Sequence, residues 1–214
     1  MAQRTVHHVF AQHLAASCGI ADRPRFLLGS LLPDAIADKA ERNASHFAVL
    51  DENGMRWYQF DRFRREFSDR FEDPLYLGYY MHLVEDNFYR EFCHKVYQFY
   101  FITPEEVHSL HRDYHLLNPY LRRTYALRLG LVLPPDFDRE PLARVARFDL
   151  EGLRRDLAED LVEQPSGAFR YLSPQMMDEF ITRYLPPAEA ELRAVLRGEH
   201  CLRAADFAWK RTYE

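Results

Sequence analysis

Tyr79-Tyr80-Met81-His82-Leu83-Val84-Glu85-Asp86 is a strongly apolar, aromatic stretch into which a histidine and, four residues later, an aspartate have been set. Residues i and i+4 of a helix share a face, with Cβ atoms roughly 5–6 Å apart, so His82 and Asp86 can hold one cation between them. The stripe through them runs Leu75, Tyr79, His82, Asp86, Tyr89 and Cys93, and Glu85 points off it. Gly78 lies one turn before His82, where the missing side chain leaves room for a substrate or another backbone. Taken alone, the pair reads first as a buried histidine satisfied by a neighbouring carboxylate.

Asp73-Pro74 supplies an N-cap and a first-turn proline for this helix, which the pattern carries from about Leu75 to Phe101. Upstream, residues 5–18 read as a first helix, and Arg23-Pro24 as a loop. Phe26 to Leu32 then form a short apolar turn ended by Pro33, with Asp34 at a turn or helix start. Asp51-Glu52-Asn53-Gly54 marks a tight turn, so the segment near 48–60 can form a small β-hairpin. Residues 60–70 form a short charged amphipathic helix. Downstream, Thr103-Pro104 starts a helix to about Leu129, and further helices are expected near 139–163, 174–185 and 188–198, the last two separated by Pro186-Pro187. The expected fold is therefore all-α, a single-domain multi-helix bundle over residues 1–214, in which residues 1–130 carry the site and residues 131–214 complete the bundle.

Composition agrees with a buried core: 47% of the 214 residues are hydrophobic and 14% aromatic, which argues against disorder. A net charge of -5 disfavours tight non-specific nucleic-acid binding. Cys18, Cys93 and Cys201 are odd in number, widely spaced and without a CxxC, as expected of reduced thiols. The first residues lack an unbroken apolar core, and no stretch approaches 18 apolar residues. A soluble, cytoplasmic chain with no membrane insertion is expected, and oligomeric state is not legible.

Other polar residues stand out by context. Asp34 follows Gly29-Ser30-Leu31-Leu32-Pro33 and reads as a helix cap or a site residue. His46, in Asn43-Ala44-Ser45-His46-Phe47, and His7, near the start of the first helix, are each weak signals alone. Adjacent His7 and His8 cannot both face one site, and His13 reads as solvent-facing.

In combination these segments resemble the zinc-dependent phospholipase C family and its relatives among the S1/P1-type nucleases. The shared pattern is Gly29-Ser30-Leu31-Leu32-Pro33-Asp34, then Ser45-His46-Phe47, then Leu77-Gly78-Tyr79-Tyr80-Met81-His82-Leu83-Val84-Glu85-Asp86, with an early His7. It is specific through about residue 90 and looser through Asp113-Tyr114-His115-Leu116-Leu117-Asn118, as in short bacterial members. The resemblance implies that Asp34, His46, His82 and Asp86 are metal ligands, with His7 joining a neighbouring ion. Imidazole and carboxylate ligands without thiolate suit Zn²⁺ first and also Mn²⁺, Fe²⁺ or Ni²⁺, as one or two ions.

The chain departs from the larger members in two respects. Their processed N-terminal residue binds metal, whereas Met1-Ala2-Gln3 precedes His7 here; and their second helical pair, HxxxE, is missing, since His94 is followed by Gln98 and His108 by Arg112. His111 and His115, with Asp113 nearby, can substitute or sit on an exposed face. Metal-dependent hydrolysis of a small phosphoester is the expected activity, with Asp34 as ligand or general base and Tyr79 able to reach the phosphate or pack in the core. A non-catalytic helical metal-binding or interaction protein is the alternative. An HD-type phosphohydrolase and an HExxH protease are excluded because neither motif occurs.

Overall fold

The helix over Pro74–Glu91, α5, is the axis of the molecule, and every residue from Leu75 to Tyr89 is buried. A helix buried on all faces must be surrounded by other elements, and α5 is wrapped by α1 (Arg4–Ser17), α2 (Arg23–Leu31), α4 (Phe60–Phe67) and α8 (Pro174–Val195). The computed structural model describes residues 2–100 and 103–210. Among them are also the single-turn α3 (Arg42–Ser45), α6 (Pro104–Thr124) and α7 (Leu150–Val162). The three-stranded antiparallel sheet is β1 (Ala48–Leu50), β2 (Met55–Tyr58) and β3 (Trp209–Lys210), ordered β1-β2-β3. The fold is thus all-α with a small β element, and one hydrophobic cluster extends from Ala2 to Ala204.

Two glycines let α2 lie directly on α5. A Cβ on Gly29 would stand 2.0 Å from the Leu75 carbonyl oxygen, and one on Gly78 would stand 2.1 Å from that of Phe26. The room expected at Gly78 is therefore taken by a backbone. This close crossing fixes α2, and with it the Leu32–Asp34 3₁₀ turn, against the N-terminal half of α5.

Several local expectations need correction. The apolar turn at Phe26–Leu32 belongs to α2, which begins at Arg23 because the Asp22 carboxylate accepts the Arg25 N–H at 3.0 Å and Pro24 fits the first turn. The helix expected to reach Leu129 stops at Thr124, and Ala126 takes a left-handed φ of 51°. Near 139–163 the chain first makes two 3₁₀ turns, Phe137–Arg139 and Pro141–Arg144, and α7 starts only where the Asp149 side chain caps Gly152 N–H. Pro186-Pro187 does not divide α8: its buried stripe of Phe180, Ile181, Tyr184, Ala188, Leu192 and Val195 is continuous, and Pro186 is exposed, so packing overrides the helix-breaking tendency. α5 passes into a π-helical turn over Phe92–Val96 and the helix ends there, short of the expected Phe101, which itself lies outside the described residues. The hairpin is as expected, with Gly54 at φ 74°, and β3 adds a strand not anticipated. Among the described residues no helix is long and apolar enough to cross a membrane.

Candidate metal centre

His82 and Asp86 project from α5 towards α1, the Leu32–Asp34 turn and the end of α3, where they meet His7, Asp34 and His46. His46 Nε2 lies 3.3 Å from His82 Nε2, 3.4 Å from Asp34 Oδ1 and 3.6 Å from Asp86 Oδ2. His82 Nε2 is 3.7 Å from Asp86 Oδ2, and His7 Nε2 is 3.5 Å from Asp86 Oδ1. The His7 and His82 rings stack at 3.9 Å. Two triads, His7 with Asp34 and His82, and His46 with His82 and Asp86, each bring ligand atoms within 4.8 Å of one another. All five sequence-derived residues are thus brought together.

Hydrogen bonds behind the rings settle which nitrogens face inward. His82 Nδ1 donates to the Ser30 carbonyl at 2.8 Å, and His46 Nδ1 donates to the Arg42 carbonyl at 3.0 Å with Ser45 Oγ at 2.9 Å. A carbonyl oxygen only accepts, so in the neutral imidazoles Nδ1 carries the proton and Nε2 a lone pair. Two such lone pairs facing each other at 3.3 Å repel unless a cation lies between them. Backing of each ring by a fixed acceptor is the arrangement that orients metal-bound histidines. His7 has the same backing from the Glu85 carboxylate, Nδ1 to Oε2 2.6 Å. Asp86 divides its oxygens: Oδ1 accepts the Ala2 N–H at 2.8 Å, while Oδ2 is buried and unpartnered, as is His7 Nε2.

These residues fit a divalent cation. Tetrahedral bonds of about 2.0–2.1 Å set ligand atoms roughly 3.3–3.4 Å apart, and His46 Nε2 stands at 3.3 and 3.4 Å from two of its neighbours. No cysteine belongs to either triad, so the donors are imidazole nitrogen and carboxylate oxygen. His82 belongs to both triads and offers one free nitrogen, so it can serve one ion at a time. Clusters of this composition can hold a metal ion; its identity follows from donor chemistry only.

The charge state of the metal-free centre is set by burial working against close partners. Burial disfavours charge on His7, but the carboxylates that face its two ring nitrogens, Asp86 and Glu85, raise its pKa to about 10. Burial and then the neighbouring His7 charge lower His82 to about 3. Burial pushes Glu85 up to about 7 against the pull of His7. Asp34 and Asp86 are both held below the ordinary carboxylate range against desolvation, Asp34 by His46 and His82 and Asp86 by the amino-terminal charge and then by His7 and His82.

Asp34 is the member nearest solvent, its side chain 11% exposed against 0–1% for the others. With His46 it lines a cleft of about 510 Å³ that also carries Arg4, Lys39, Arg42, Arg56 and Arg90. Asp34 and Asp160 are its acidic members, so a chain of net charge -5 concentrates positive charge at the mouth of the centre.

The additional candidates do not join the centre. Tyr79 is buried; its hydroxyl donates to the Ser45 carbonyl and its ring stacks on Phe63 at 4.8 Å, so it braces the His46 turn. Asp113 is also buried and accepts the backbone N–H groups of Arg170, Tyr171 and Leu172, which makes it an anchor for that loop. His111 lines the cleft against Tyr114. His115, itself exposed, forms a separate group with the buried Asp160 and the half-buried Glu163. Sequence reasoning missed Glu85 as a support, because it lies off the His82–Asp86 stripe and finds its partner on another helix. The residues ahead of His7 are not remote from the centre either, since Ala2 hydrogen-bonds Asp86.

Compared with protein-family models, with curated proteins and with solved structures, the chain finds no match. The likeness to zinc-dependent phospholipase C therefore rests on the motif residues and their order.

Proposed function

We propose that this chain is a divalent-metal-dependent hydrolase of a small phosphoester, with His46, His82, Asp86 and Asp34 as ligands, His7 at the flank, and Zn²⁺ as the favoured ion. One observation carries the reading: three imidazoles, each fixed through Nδ1, turn Nε2 towards two carboxylates beneath a basic cleft. When bound, a divalent ion supplies water activation near neutral pH and polarisation of a phosphoryl oxygen. The protein supplies the rest. His46, His82 and Asp86 hold the geometry from buried positions, so binding of substrate need not rearrange them.

Asp34, at the solvent edge and ionised at neutral pH, is the carboxylate able to accept a proton from attacking water at Oδ1 or Oδ2. Arg42 Nη2 lies 3.9 Å from Asp34 Oδ1, where its charge favours an incoming phosphate oxygen. Hydrolysis of bis(p-nitrophenyl) phosphate by protein loaded with Zn²⁺ or Mn²⁺, and its loss by at least a hundredfold in His82→Ala, is the expected outcome. Full metal occupancy without turnover of phosphoesters would leave the non-catalytic metal-binding reading in its place.

A further inference from the structure

The face of α5 that carries His82 and Asp86 continues at the same interval to Arg90 and His94. Both line the cleft. Arg90 is enclosed at Nε, which has no hydrogen-bond partner, and among the described residues no carboxylate lies within ion-pair distance of its guanidinium. Its Cζ stands 5.5 Å from the Trp209 ring centroid, a cation–π contact that orients the group without neutralising it. Arg90 as a whole is half-buried; His94 is buried, and neither of its ring nitrogens has a partner; its ring lies parallel to Trp209 at 6.3 Å, with an interplanar angle of 9°. Burial and then the Arg90 charge lower His94 to about 4, so it is neutral and keeps one donor and one acceptor.

Unpaired buried polar groups are costly and uncommon, and here a guanidinium and an imidazole share one tryptophan at one wall of one cleft. A π-helical turn over Phe92–Val96 sets the register of His94, and such turns recur at functional sites.

We infer that Arg90 and His94, floored by Trp209, form an anion subsite beside the metal centre, so that the substrate is a phosphoester carrying a second anionic group, phosphate or carboxylate, on the part that is not attacked. The substrate class rests on the hydrolase reading; the binding of an anion does not. A zwitterionic headgroup with a cationic end is disfavoured, because its cation would meet Arg90, Arg56 and Arg4.

The test uses Trp57→Phe, which leaves Trp209 as the chain's remaining tryptophan. Inorganic pyrophosphate titrated into EDTA-treated Trp57→Phe protein should change Trp209 emission saturably. Adding Arg90→Gln should weaken the apparent affinity at least tenfold, and adding His94→Ala at least threefold, with circular dichroism reporting the fold; should Arg90→Gln not fold, His94→Ala carries the test. An affinity unchanged in either folded variant, or no saturable change at all, overturns the subsite.

With Zn²⁺ bound, the wild type should prefer a monocarboxylated analogue of bis(p-nitrophenyl) phosphate over the parent by at least tenfold in kcat/KM. Arg90→Gln should bring that ratio close to one, and equal use of both by the wild type overturns the substrate class. Inorganic phosphate and a simple dicarboxylate, titrated in the same way, separate the two anion types. Because the pyrophosphate titration needs neither metal nor turnover, an inactive enzyme leaves it intact.

Discussion

The centre between α1, α2 and α5 and the cluster of His115, Asp160 and Glu163 hold the same kinds of side chain, and they differ in what stands behind them. In the first, each imidazole commits Nδ1 to a fixed acceptor and leaves Nε2 facing inward. In the second, His115 Nδ1 already faces the two oxygens of Glu163 at 3.1 and 3.0 Å. Asp160 is held by Arg4 at 2.8 Å and by Asn118 at 3.1 Å, and His115 is exposed. Ligand-type residues within reach of each other thus describe both places equally well. What separates them is whether the lone pairs are released towards a shared point or consumed inside the group.

The largest effect should come from breaking the first region. Asp86→Asn keeps the shape of the side chain while removing its charge and exchanging one acceptor oxygen for a donor amide. We expect Zn²⁺ affinity, measured by chelator competition, to fall by about three orders of magnitude, roughly 4 kcal/mol. Elemental analysis of the wild type should give one ion per chain. Equal stoichiometry and affinity in Asp86→Asn would end the comparison, since the centre would then be no better organised than the α6 cluster.

The next effect tests the floor beneath the centre. Gly78→Ala places a methyl group 2.1 Å from the Phe26 carbonyl oxygen, a contact relieved only if α2 moves off α5. Overpacking against backbone should lower the stability of the metal-free protein by roughly 3 kcal/mol in urea denaturation. Ser30, whose carbonyl fixes His82, rides on α2, so metal affinity should fall with stability. A variant as stable as wild type would show that the crossing is loose and that the His82 orientation does not depend on it.

Much of this was legible in the residues because it is local. The cap at Asp73-Pro74, the turn at Asp51 to Gly54 and the apolar run around His82 each fix their own segment, and the ordered motifs brought in Asp34, His46 and His7. What could not be read depends on contacts across the fold. Pro186-Pro187 is a helix break in isolation but not when a continuous buried stripe holds α8 together. Asp113 and Tyr79 look like site residues until their backbone partners, distant in sequence, are known. Glu85 is turned away from Asp86 by its own helix, and only His7 on α1 gives it a purpose. The basic cleft is invisible in a net charge of -5 because arginines from separate elements form it.

The smallest effects sharpen the comparison most, because they leave the ligands in place. In the metal-free protein His7 has a pKa of about 10, so near neutral pH an ion must displace a proton to reach Nε2. Apparent affinity should therefore rise by about a factor of ten per pH unit from neutrality, levelling as pH approaches the folded-state value of His7. Glu85→Gln removes one of the carboxylates that raise that pKa, so levelling should come at lower pH. Above it, affinity should be about tenfold weaker than wild type, from the lost support behind the ring. A levelling pH that stays the same in this variant would remove His7 from the ligand set. In His115→Ala, by contrast, neither the affinity nor its pH slope should change by more than about twofold, because an exposed pair of this kind contributes little beyond its own surface.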